Sequence, residues 1–213
     1  MQPHTSETPL RPLSGRAIAA ALGPRPVIVV GTACDGRADF TPAAFCAPLS
    51  YDPPLVALGL KPTSWGCQTI EDTGRCTLST MGSDAAEAVL WCGSRSGRDT
   101  DKSAGFPCAW TEVSDSESDT AAALFSAEKT DAPSATMPLP YPADALTVFE
   151  TELVSASDAG DHRLLVLRIA SAATRLPETS AGRLAAEPTL LCLEHGDFAL
   201  AREVFGPPER TDH

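Results

Sequence analysis

Short apolar, β-branched runs separated by hairpin-sized turns recur along most of this chain, and that spacing constrains its fold more than any other feature. Pro26-Val-Ile-Val-Val-Gly-Thr-Ala33 is the clearest run. Cys34-Asp35-Gly36-Arg37 follows it with the Asp-Gly pair that two-residue hairpins favour, since both central residues must take positive φ. The chain then returns through Ala38 to Ala44. Leu55 to Leu60, after Pro53-Pro54, reads as a further strand, as do Arg75 to Ser79, Leu146 to Ser155 and Arg163 to Ala172. The last two flank Ser157-Asp-Ala-Gly-Asp161, a loop rich in turn formers. A final hairpin, Thr189 to Glu194 and Phe198 to Glu203, turns through His195-Gly196-Asp197. Helices are few and short. Arg16 to Leu22 is stopped by Gly23-Pro24, Trp65 to Thr73 is closed by Gly74, and Asp84-Ala-Ala-Glu87 has the capping-box pattern for a helix through Trp91. With no βαβ alternation and no internal repeat, the pattern predicts a mainly β, antiparallel barrel with two or three short helices, because closing a sheet removes its exposed edges.

Composition narrows the partners. A chain of 213 residues that is 43% hydrophobic can bury a real core as one domain. No run approaches the roughly 18–20 apolar residues of a membrane span. A net charge of −12 argues against nucleic acid or an anionic membrane as partner. Met1 to Ser14 is polar and proline-bearing, without the basic start and apolar stretch of a secretory signal. The seven cysteines are scattered singly, with no CxxC, and read as reduced, mostly buried small groups of a cytoplasmic protein. Residues 111–140 carry six acidic side chains against Lys129, with three prolines, and read as a solvated excursion.

Most catalytic signatures are missing. No GxSxG, HExxH, HxH, GxGxxG or GxxxxGK[ST] occurs, and no metal site is expected. His4 and His213 lie in the tails, and His195 reads as a solvated turn residue. Two stretches stand out instead. Asp39 to Pro54 holds small alanines and four prolines, running from a strand into a rigid, kinked turn. Small side chains leave backbone N–H and C=O groups open to a flat, hydrogen-bonding ring, though a plain proline-stiffened strand end has the same composition. Cys92-Gly-Ser-Arg-Ser-Gly-Arg-Asp-Thr-Asp-Lys102 offers hydroxyls, N–H groups and three cations, which suit an anionic phosphate. Asp99 and Asp101 bring its net charge to only +1, so it also reads as a self-neutralised polar loop.

In order, Pro24-Arg25-Pro26, Ala-Pro-Leu-Ser-Tyr-Asp-Pro-Pro-Leu-Val, Ile70-Glu-Asp-Thr-Gly74, Cys92-Gly-x-x-Ser-Gly-Arg-Asp-x-Asp-Lys102 and Gly160-Asp161-His162 resemble the flavin reductase-like, FMN-binding split-barrel family, which includes flavoredoxin-type proteins. The likeness covers roughly residues 20–205. It implies a split-barrel domain over 24–206, with a tail and short helix at 1–23, an acidic insertion at 111–140 and a C-terminal tail at 207–213. It further implies a homodimer that binds FMN, with FAD as a second flavin, and passes hydride to it from NADH or NADPH. Many members supply reduced flavin to a partner monooxygenase. Carried over by motif, Thr41, Ala43, Ala44, Phe45, Cys46 and Ala47 would face the isoalloxazine, and Ser50 would help close that pocket. Lys61, Thr63, Ser64 and Gly66 would lie near the phosphate. Ser96, Gly97, Arg98 and Lys102 would border the phosphate or the nicotinamide, and His162 is the histidine with a family precedent for a catalytic place.

Cys46 also reads as a buried small hydrophobe, and His162 as a turn cap. Two departures bear on activity. Asp39 stands where relatives usually carry Asn, and Ser64-Trp65-Gly66 replaces a stretch of basic residue, aromatic and Thr. The lost cation and hydroxyl correspond to about 2–4 kcal/mol of phosphate binding, which Lys61 or Thr63 could restore. A split barrel whose flavin site has been reassigned to another ligand in specialised metabolism, and a non-catalytic flavin-bound electron carrier, are the alternative readings.

Overall fold

The computed structural model describes residues 10–111, 137–177, 189–194 and 197–200. Helix α1 (Arg16–Ala21) leads into the short strand β1 (Arg25–Pro26) and the hairpin of β2 (Ile28–Cys34) and β3 (Arg37–Ala43). Strands β4 (Cys46–Tyr51) and β5 (Pro54–Leu60), helix α2 (Trp65–Thr73), strand β6 (Arg75–Thr80) and helix α3 (Ala86–Gly93) follow. Strands β7 (Cys108–Trp110), β8 (Pro140–Pro142), β9 (Thr147–Ala159), β10 (His162–Thr174), β11 (Leu190–Glu194) and β12 (Asp197–Leu200) complete the order. Seven strands make one antiparallel sheet in the order β3-β2-β6-β9-β10-β5-β4, while β1-β11-β12 and β7-β8 form two smaller ones. This is the mainly β, antiparallel architecture with three short helices that the sequence predicts.

Alternation along β2 divides the interior. Val27 and Val29 enter one core with Phe40, Val89 and Phe106, whereas Ile28 and Val30 enter another with Leu58, Ile70, Leu165 and Leu167. Successive side chains of a strand point to opposite faces, so a strand covered on both sides reads as a near-continuous apolar run, here broken by the buried Thr32. The turn after β2 is the Asp-Gly type expected, with Asp35 and Gly36 at φ 52° and 75° and Cys34 paired with Arg37. Gly74, at φ 70°, closes α2 by donating its N–H to the Ile70 carbonyl at 2.8 Å.

Several expectations are corrected. Residues 46–51 form an edge strand rather than a kinked turn, because β4 pairs with β5 alone and its Pro48 leaves only an outer position without a donor. The capping box at Asp84 does not form. A 3-10 turn, Ser83–Ala85, precedes α3, whose N-cap is Ala85 without a side-chain cap. The β9–β10 hairpin is longer than expected, turning at Gly160-Asp161. The end of the acidic stretch is not solvated: Leu139 is buried, and the Pro140 carbonyl accepts from Thr77 Oγ1 at 2.6 Å. Residues 112–136, the His195-Gly196 turn, His4 and His213 lie outside the described residues.

Leu165 is fully buried in the second core, whereas Val154 is half exposed on β9. Leu165→Ala is expected to lower the unfolding free energy by about 2–5 kcal/mol, with Val154→Ala within about 0.5 kcal/mol of the parent, as read by chemical denaturation.

Candidate functional site

Two clefts flank the chain as it leaves β3 for β4. The first, about 350 Å³, is polar, and its wall includes Thr41, Thr63, Ser64, Ser96, Arg98 and Lys102. It opens at the N-terminus of α2, where Ser64 caps the helix by accepting the Cys67 N–H at 3.2 Å. The first amides of a helix lack intrahelical acceptors and carry the positive end of its dipole. Cations surround the mouth. Arg98 donates from Nη1 to the Thr63 carbonyl at 3.0 Å and from Nη2 to Gln68, and Arg95 Nη1 donates to the Trp91 carbonyl at 3.1 Å. Arg37 lies 4.6 Å over the Trp65 ring and donates to the Gly97 carbonyl.

Behind this wall sits a buried ion pair. On β3, Ala38 and Phe40 enter the first core, so Asp39 and Thr41 face the other way. Lys102 Nζ lies 3.1 Å from Asp39 Oδ1, with side chains only 5% and 3% exposed, and donates to the Phe40 carbonyl at 3.0 Å. Thr41 Oγ1 donates to Asp39 Oδ2 at 3.0 Å. Two glycines are cut to fit. A Cβ on Gly97 would stand 2.1 Å from Asp39 Oδ1 and 2.3 Å from Trp65 Cε3, and one on Gly66 would stand 2.7 Å from Thr41 Oγ1. The threonine hydroxyl thus fills the space beside residue 66, where this chain has no side chain of its own.

The second cleft, about 380 Å³, is apolar and open, lined by Ala44, Phe45, Cys46, Ala47, Ala57, Gly59, Leu164 and Arg25. Phe45 meets the His162 ring edge-on at 5.0 Å between centroids. His162 Nδ1 donates to Asp161 Oδ1 at 2.8 Å, since an ionised carboxylate only accepts. That bond, followed by the imidazole's charge and more weakly by Lys61, holds the Asp161 carboxyl below its ordinary value. Burial pushes the Cys46 thiol up to about 11, so at neutral pH it is a small neutral group and no nucleophile.

The family model described as flavin reductase like domain matches residues 21–195. The chain belongs to the flavin reductase-like family. Solved structures share its fold. An FMN-binding protein from Thermus thermophilus is 24% identical over 97% of this chain and 100% of its own, with a TM-score of 0.69. Nitrilotriacetate monooxygenase component B from Mycobacterium thermoresistibile is 21% identical over 92% and 93%, with a TM-score of 0.64. A split-barrel-domain protein from Shewanella frigidimarina is 14% identical over 88% and 89%, with a TM-score of 0.68. The fold of this flavin reductase-like chain is therefore a split barrel.

The sequence-predicted residues divide between the clefts. Thr41, Thr63, Ser64, Ser96, Gly97, Arg98 and Lys102 line the polar one, and Ala44, Phe45, Cys46 and Ala47 the apolar one. Four line neither. Ala43 is buried in the second core, Ser50 sits on β4 opposite Leu55, Lys61 projects on the Asp161 side, and Gly66 is sealed behind Thr41. Lys102 lines the cleft but offers no free cation, because its ammonium is committed to Asp39 and the Phe40 carbonyl. The motifs alone left Arg25, Arg37, Trp65 and the Asp39–Lys102 pair without roles. A carboxylate at an inward register position was the available signal, since such a charge demands a partner.

Removing one member of the buried pair strands the other charge. Asp39→Asn or Lys102→Met is expected to cost about 3–5 kcal/mol of stability, and the double variant to regain much of it, in denaturant titrations. For the thiols, burial raises Cys67 and Cys92 to about 11 and Cys76 to about 12. With roughly one thiolate in a thousand for a pKa near 11 at pH 8, a soluble disulfide reagent is expected to label near-surface Cys34 first and Cys76 only on unfolding, as mapped by peptide mass spectrometry.

Proposed function

We propose that this chain is an NAD(P)H-dependent flavin reductase that binds FMN across the two clefts. The observation that carries this reading is the stretch 41–47, where Thr41 and Pro42 line a polar cleft on a helix N-terminus and Ala44 to Ala47 line an apolar one. A phosphate ester with a flat ring needs that pair of environments. When bound, FMN would supply the ring that accepts hydride from a nicotinamide.

The chain's own residues supply binding and geometry. The α2 amides, Ser64, Thr63, Ser96 and Arg98 would hold the phosphate, and Thr41 and Arg98 stand in for the hydroxyl and cation that positions 64–66 lack. A guanidinium fork gives charge-assisted bonds that a serine cannot. Ala44, Cys46, Ala47 and Gly59 leave room for a flat ring to lie against the backbone. His162, oriented by Asp161 and Phe45, has Nε2 left for a ligand. Hydride transfer itself needs little acid–base help, so positioning is the protein's main contribution.

Edge strand β4 exposes Leu49 and Tyr51, 54% and 100% accessible, which supports a homodimer that covers them. Nitrilotriacetate monooxygenase component B, among the structures of the same fold, supports a monooxygenase as consumer of the reduced flavin.

The purified protein, titrated with FMN, is expected to form a stoichiometric complex with a perturbed visible spectrum and to oxidise NADH or NADPH only when flavin is present. Arg98→Ala is expected to weaken FMN by about tenfold while riboflavin, which lacks the phosphate, binds as before. Absence of flavin-dependent nicotinamide oxidation removes the reading, and a tight complex that nicotinamide reduces slowly indicates an electron carrier instead.

A further inference from the structure

Among the described residues, Arg25 is the one charged residue lining the apolar cleft, and neither the sequence motifs nor the proposed chemistry gives it work. Its side chain is fixed at two points. Nη1 donates to the Ala19 carbonyl, and Cζ lies 5.4 Å over the centre of the Phe45 ring. Nε is buried with no hydrogen-bond partner, and no ion pair among the described residues includes this guanidinium. A buried polar group left this way costs free energy until something satisfies it, and a guanidinium keeps its charge in proteins. The rest of the wall supplies no counter-charge: its other members are alanines, glycine, leucine, phenylalanine and a thiol that burial keeps neutral. In a chain of net charge −12, a cation held in an apolar groove with no acidic partner among the described residues marks a place for an incoming anion.

We propose that Arg25 makes the apolar cleft a site for a flat ring carrying delocalised negative charge at its rim. Small side chains take the face of the ring, and the planar guanidinium takes its charged edge, for which a fork of N–H donors is well matched. Two ligands share that chemistry. One is two-electron-reduced flavin, whose pyrimidine half bears the charge, and this source rests on the flavin reductase reading. The other is a free aromatic carboxylate, which does not.

The test uses the full chain with Arg25→Met, which removes charge and donors, and Arg25→Lys, which keeps the charge and loses the fork. Circular dichroism and melting curves verify the fold. Should the Met variant unfold, the Lys variant and Arg25→Gln carry the comparison. Dissociation constants for oxidised and reduced FMN are measured anaerobically, and flavin-free protein is titrated with benzoate and with uncharged benzamide. For the flavin source, Arg25→Met leaves oxidised FMN within about threefold and weakens reduced FMN at least tenfold, which lowers the bound couple by about 30 mV; the Lys variant recovers part. For the carboxylate source, benzoate outcompetes benzamide in the parent and loses that advantage in Arg25→Met. Equal losses for both flavin oxidation states, together with equal binding of benzoate and benzamide, overturn the proposal. If FMN binds in neither state, the reductase reading falls while the benzoate comparison still decides the role of Arg25.

Discussion

Asp39 places a carboxylate on the inward face of a strand, and the polar half of the molecule is organised by the need to neutralise it. An isolated charge in that position would cost several kcal/mol, and a paired one roughly breaks even against its lost hydration. Lys102 supplies the pair from across a separation of about sixty residues, and its second bond, to the Phe40 carbonyl, ties the loop after α3 to β3. Once that loop is drawn in, Gly97 must lie against Asp39 and Trp65, and no larger residue fits. The pair therefore contributes geometry more than net stability. It fixes where Ser96 and Arg98 face the α2 N-terminus.

The two clefts differ in chemistry although both are built on consecutive stretches of the same chain. Up to Pro42 the chain follows a strand whose Asp39 and Thr41 side chains meet α2 and the 94–98 loop, both rich in donors. After Ala43 it crosses to the opposite edge of the sheet, where β4 pairs with β5 alone and the cleft wall, completed by Leu164 of β10, is mostly small and apolar. An elongated ligand with one anionic end and one flat end meets both environments without any residue having to change role. The local cations matter because the protein's overall field repels anions. Arg37, Arg95 and Arg98 are held by carbonyl acceptors and aromatic faces, and none is in an ion pair among the described residues, which leaves their charge at the mouth.

Local chemistry fixed by near neighbours was legible in the chain itself. The Asp35-Gly36 turn, the closure of α2 at Gly74, and the largely apolar run of β2 each follow from a few adjacent residues and were read correctly. Signals that depend on context misled. Prolines in 48–54 suggested a turn, but an edge strand tolerates Pro48 because its outer groups need no partner. Asp84-Ala-Ala-Glu87 has the letters of a capping box, yet a 3-10 turn displaces the helix start and the cap is not made. Of the site, the motif segments border the two clefts, while Ala43, Ser50 and Lys61 lie outside both linings and the Lys102 ammonium is committed to Asp39, because spacing along a chain does not say which face is already occupied.

What the sequence determined by itself is the alternation: which residues can form strands, where the tight turns fall, and which two stretches hold unusual chemistry. These depend on φ/ψ preference and period-two patterning, both local properties. The tertiary structure alone decided that Lys102 neutralises Asp39, that Thr41 fills the space beside Gly66, and that Arg25 lines an apolar wall with no counter-charge among the described residues. Those outcomes depend on distances between residues far apart in the chain, and only the closed sheet sets such distances.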